Sequence, residues 1–159
     1  MDEILELLQK NGRYSLEEIA ELLGLDADSV AAKISEWEED GTIMGYQVVV
    51  DPERAASGMV TALIEVKITP ERDGGFNRVA ERIAKFEQVK SCFLMSGGYD
   101  LAVMVVGTDL REVARFVSEK LSTLDGVIST ATHFQLKVYK QNGLMARVDT
   151  EAARLPVAP

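Results

Sequence analysis

The apolar residues of this chain change period near residue 58, and that change limits what it can fold into. Before residue 40 they recur at helical spacing; from Gly58 onward they form strand-like runs separated by two amphipathic stretches. Ile4, Leu5, Leu7 and Leu8 predict a first helix that stops at Asn11-Gly12. Ser15, followed by Leu16-Glu17-Glu18, reads as a capping box opening a second helix that buries Ile19, Ala20, Leu22 and Leu23. Gly24-Leu25 makes a tight turn and Asp26 caps a third helix, with Val30, Ile34 and Trp37 inward at i, i+4 and i+7. Asp40-Gly41 stops it. The β-branched stretch Ile43–Val50 predicts a wing strand that ends at Asp51-Pro52. Residues 1–50 are therefore expected to form a winged helix-turn-helix domain, followed by a linker over 51–57.

The second domain is expected over 58–140. Met59–Ile68 predicts a strand, Gly75–Phe86 a helix with Phe76, Val79, Ala80 and Ile83 inward, and Val89–Met95 and Leu101–Val106 two further strands. Asp109 caps a helix running to Leu124, and after Gly126 the segment Val127–Val138 predicts the last strand. The order βαββαβ is the ferredoxin-like plan, making the whole chain α+β. Two helices cover one face of such a sheet, and the bare face calls for a second subunit. Residues 141–159 are expected to be a tail that packs on a neighbour.

Charge divides the chain as sharply as period does. Residues 1–50 hold twelve acidic residues against Lys10, Arg13 and Lys33, while 51–159 hold fourteen of each sign, so the first domain carries the whole net charge of −9. The acidic start at Met1-Asp2-Glu3 resembles no secretory or transit segment, and no apolar run approaches the ~20 residues that span a bilayer. A cytoplasmic protein without membrane contact is expected. The single cysteine, Cys92, excludes an internal disulfide and reads as a small buried hydrophobe. His133 is the lone histidine, with no ligand-spaced partners, so no metal is expected; no residue pattern is singled out as catalytic. Trp37 and the six methionines read as core.

Two motifs carry a family resemblance. Glu38-Glu39-Asp40-Gly41-x-Ile43-x-Gly45-Tyr46 leads from the third helix through the wing to Asp51, and Ser96-Gly97-Gly98-Tyr99-Asp100-Leu101 joins the two middle strands. In this order, on a winged helix-turn-helix followed by βαββαβ, they resemble the Lrp/AsnC family, the leucine-responsive and asparagine-operon regulators. The second module would then be a RAM domain that binds amino acids and oligomerises. The resemblance covers about residues 1–140. It implies binding to double-stranded DNA, an amino-acid effector, no cofactor, and a homodimer assembling to a tetramer or octamer.

The resemblance places DNA contacts on the third helix at Ala32, Lys33, Ser35 and Glu36, where the family commonly carries several cations and this chain has only Lys33; Ser29 is expected to add a hydroxyl contact. Serine hydroxyls, backbone amides and avidity across an oligomer would then supply the contacts. The acidic helix leaves two alternatives open: an amino-acid sensor that no longer binds DNA, or an enzyme related to the sirohaem decarboxylases. The effector site is expected at Met95, Ser96, Gly97, Gly98, Tyr99 and Asp100. Gly97-Gly98 is what a tight hairpin wants; it also leaves amides free for a carboxylate, with Asp100 as acceptor for an ammonium group. Thr130 and Thr132 point the same way by alternation and would add hydroxyls from an adjoining subunit. Met95, Tyr99 and Leu101 suggest an apolar or aromatic effector side chain.

Overall fold

The computed structural model describes residues 2–55, 58–70 and 75–147, which form two compact units dividing between Val49 and Val50. The first holds three helices, α1 (Glu3–Lys10), α2 (Leu16–Leu23) and α3 (Ala27–Glu39). Each start is capped by a side chain that takes a backbone N–H otherwise lacking a partner. Asp2 accepts from Ile4, Ser15 from Glu18 within a full capping box, and Asp26 from Ser29. Gly24 closes α2 at φ 66°, a left-handed conformation that glycine adopts without cost. Ile4, Ile19, Ala20, Val30 and Trp37 form the core, with Ile34 and Ile43 against it.

The predicted wing is not a strand. Residues 44–50 form no ladder, because the unit contains no second strand to receive their backbone groups. Met44 and Val48 are almost fully exposed. Tyr46 instead anchors the segment: its hydroxyl donates to Glu38 at 2.9 Å.

The second unit is a four-stranded antiparallel sheet of β1 (Val60–Ile68), β2 (Val89–Leu94), β3 (Leu101–Gly107) and β4 (Val127–Phe134), in the order β2-β3-β1-β4. Helices α4 (Asn77–Ala84) and α5 (Leu110–Phe116) complete the βαββαβ order. Strand alternation explains the core. Ile64, Val66 and Ile68 of β1 and Leu101, Val103 and Val105 of β3 face the helices and meet Val79, Ile83, Phe116 and Leu121. The intervening residues, Leu63 and Glu65 opposite Met104 and Ala102, lie on the other face, which no helix among the described residues covers.

Three predicted boundaries move. The last helix does not run regularly to Leu124: α5 widens into a π-helical segment, Val117–Leu121, closed by the Ser122 amide donating to the Val117 carbonyl. The last strand ends at Phe134 rather than Val138, because β1 runs out of partners. The first helix of this unit, predicted over Gly75–Phe86, occupies Asn77–Ala84. Part of the predicted tail is ordered, as the hairpin β5 (Lys140–Gln141) and β6 (Leu144–Met145) about an Asn142-Gly143 turn, both residues at positive φ. The remainder of the tail lies outside the described residues.

Packing on the helix face is tight enough to predict costs. Ile64→Ala should lower stability by about 2–5 kcal/mol in urea unfolding, as a cavity in a closed core does. At Gly107 an added methyl would sit 3.0 Å from Val113 Cγ2 and 3.3 Å from Glu112 Oε2. Gly107→Ala should therefore cost about 1–3 kcal/mol in the same measurement, by overpacking.

Candidate functional site

The segment between β2 and β3 is closed by three backbone-directed hydrogen bonds. The Met95 amide donates to the Asp100 carbonyl at 2.8 Å, and the Asp100 amide donates to the Val66 carbonyl at 3.0 Å. The Ile68 amide donates to Asp100 Oδ2 at 2.8 Å. Strand β3 begins only at Leu101, so the Asp100 carboxylate takes the place of a strand carbonyl for Ile68, next to the β1–β4 register shift at Lys67/Ile68. Oδ1 makes none of these contacts. Of the two glycines only Gly97 uses a positive φ, at 138°. Ser96, Gly97 and Gly98 are exposed, while Tyr99 and Asp100 are half-buried. The loop thus presents free amides beside a carboxylate that β1 fixes in place.

Thr130 and Thr132 lie across β1 from this loop. Thr130 is opposite Val66 and Thr132 opposite Ile64, so both share the helix-side face with Leu101, two strands or about 10 Å away. In one subunit they do not join the loop. Thr130 Oγ1 instead lies 3.3 Å from Ser122 Oγ, a neighbour created by the π-helical turn, which no periodicity in the sequence signals. Cys92, expected to be buried, is half-buried opposite Val103, and burial pushes its thiol pKa up. His133, on the open face, places Nε2 3.4 Å from Glu65 Oε1. No cluster of potential metal ligands occurs among the described residues.

On α3 two of the predicted contact residues, Lys33 and Glu36, are engaged with each other, and Ser29 is engaged by Asp26. Lys33 Nζ pairs with Glu36 Oε2 at 3.2 Å and lies 5.3 Å from the centre of the Trp37 ring. Ser29 donates its hydroxyl to Asp26 Oδ2 at 2.6 Å, and with the Ser29 amide this holds the Asp26 carboxyl below its usual pKa. Ala32 and Ser35 are exposed and bring no charge. A shallow groove of about 500 Å³ beside the helix is lined by Asp2, Glu3, Ile4, Leu23, Leu25, Ser29 and Lys33. The one cation of α3 thus stands among carboxylates. Among the described residues no helix is long and apolar enough to cross a membrane.

Comparison with known proteins accounts for both units. Residues 3–38 match the AsnC-type helix-turn-helix domain and residues 61–145 the Lrp/AsnC ligand-binding domain. The chain is 46% identical over 158 residues to the uncharacterised HTH-type transcriptional regulator YugG of Bacillus subtilis, covering 99% of this chain and 95% of that one. It is 31% identical to the proline dehydrogenase transcriptional activator of Rhodobacter capsulatus, over 87% of this chain and 90% of that one. Among solved structures, the complex of the Neisseria meningitidis regulator NMB0573 with L-Met superposes with a TM-score of 0.67 at 29% identity, covering 87% of this chain and 88% of that one. Escherichia coli AsnC, at 20% identity and a TM-score of 0.63 over 93% and 97%, shares the fold. With a helix-turn-helix unit and a ligand-binding unit matched in order, and relatives that are regulators, the chain belongs to the Lrp/AsnC family of transcriptional regulators.

Proposed function

We propose that the protein is a cytoplasmic, amino-acid-responsive regulator that binds double-stranded DNA through α3 and takes a free amino acid at the β2–β3 loop. The amides about Gly97 and Gly98 receive its carboxylate, and Asp100 Oδ1 receives its ammonium group. The observation that carries this reading is the Ile68-to-Asp100 bond, which fixes a half-buried carboxylate beside exposed loop amides. That NMB0573 is known with L-Met supports an amino acid as the ligand class, and the exposed Leu94 and Met95 favour an apolar or aromatic side chain. Met95, Ser96 and Tyr99 would line the site, which Thr130 and Thr132 of an adjoining subunit would complete. A second copy would cover the open sheet face, around Leu63, Ala102 and Met104, and dimers would assemble into tetramers or octamers.

Asp100 has two duties in this reading, and Asp100→Asn separates them. The amide oxygen still accepts from Ile68, but the charge is gone. Losing one partner of a buried charge pair costs about 2–5 kcal/mol, so calorimetric titration of the preferred amino acid should show at least tenfold weaker binding, with little change in unfolding. Binding equal to the parent's would reduce Asp100 to a brace for the loop.

The Lys33–Glu36 pair favours a second reading, an amino-acid sensor without DNA binding. The two readings differ in a mobility shift with DNA from the protein's own promoter region. For a DNA-binding α3, Lys33→Ala should weaken binding, whereas Glu36→Lys should strengthen it for all sequences alike, since phosphate contacts carry no sequence information. If none of the three proteins shifts this DNA at low salt while an amino acid still binds, the sensor reading stands.

A further inference from the structure

We infer that the β5–β6 hairpin is a second DNA contact, which grips the phosphate backbone through Lys140 and Arg147. This rests on the DNA-binding reading above and answers a difficulty within it. The helix-turn-helix unit offers three cations against twelve acids, and its α3 lysine is held by Glu36. The phosphate contacts that dominate affinity for DNA need another source.

The hairpin lies in the longest stretch without an acidic residue. Between Asp125 and Asp149 there is none, in a chain with 26, while Lys137, Lys140 and Arg147 all fall there and all are exposed. Pairing of Lys140 with Met145 and Gln141 with Leu144 fixes the faces, and the Ala146 amide donating to the Tyr139 carbonyl extends the ribbon. By alternation, Lys140, Met145 and Arg147 share one face, with Lys140 and Arg147 diagonal neighbours. Neither makes an ion pair among the described residues. Tyr139 and Leu144 occupy the other face with Lys137, whose Nζ lies 5.4 Å from the Tyr139 ring centre. One face therefore carries two unpaired cations beside Met145, and the other carries Gln141 with Tyr139 and Leu144, its lysine engaged by the Tyr139 ring. A two-stranded ribbon of this kind fits a duplex groove.

The test is fluorescence anisotropy between 50 and 200 mM KCl with two duplexes of equal length, one from the protein's own promoter region and one of mixed sequence. Each neutralised phosphate contributes about 0.9 to the salt slope, so Lys140→Ala with Arg147→Ala should lower it by about 2 per engaged subunit and weaken both duplexes at least tenfold at 100 mM. Lys137→Ala should keep the parent slope, as should Lys140→Arg with Arg147→Lys. A double alanine variant that binds with parent slope and affinity, while Lys33→Ala weakens binding, would overturn the hairpin assignment alone. So would a double variant whose sedimentation changes, since its face would then be a subunit contact. A parent that binds neither duplex at 50 mM would overturn the DNA-binding reading and this inference together.

Discussion

Among the described residues the sheet of the ligand-binding unit carries helices on one side only, and both its core and its open face follow from that imbalance. Alternation sends Ile64, Val66, Val103 and Val105 to the helices, closing a core without any buried polar side chain. The same alternation leaves Leu63, Ala102 and Met104 on the opposite face with Glu65 and His133. A half-covered sheet is stable as a subunit and incomplete as a surface. The β2–β3 loop is exposed, whereas Thr130 and Thr132 lie half-buried on the helix-side face.

Electrostatics sets the second constraint. A regulator whose DNA-reading unit bears the whole net negative charge has little non-specific affinity to spend there. Lys33, stacked near Trp37 and paired with Glu36, can reach a phosphate only by exchanging one anion for another. Such an exchange lowers the net gain per contact. The acid-free hairpin supplies cations where the helix does not.

Much of this was legible in the sequence because it rests on local rules. The caps at Ser15 and Asp26, the stop at Gly24 and the alternation of β1 and β3 are each dictated by residues within a few positions of one another. The missed features are those set by distant partners. Residues 44–50 have the β-branched composition of a strand, but a strand needs a neighbour, and the unit provides none. The bond from Ile68 to Asp100 joins residues 32 apart, so the family resemblance implies a ligand for that carboxylate while no local pattern signals its brace. The π-helical turn that brings Ser122 to Thr130 follows from packing at the end of α5, and residues 117–121 keep an ordinary helical pattern. The pairing of Lys33 with Glu36 was readable at i, i+3; its consequence for DNA emerged only with Ser29 turned to Asp26 beside it.

In an amino-acid-responsive regulator of the kind proposed above, an amino acid at the β2–β3 loop would change how the protein holds DNA. Coupling of this kind is reciprocal and is typically worth about 1–3 kcal/mol, or roughly 5- to 150-fold. The direct measurement is the DNA dissociation constant at fixed salt, taken without ligand and with each of the common amino acids at saturation. At least one should change it fivefold or more, and the same DNA should change the affinity for that amino acid by the same factor. A dissociation constant that stays fixed for an amino acid shown to bind would mean that ligand binding and DNA binding are not coupled in this protein.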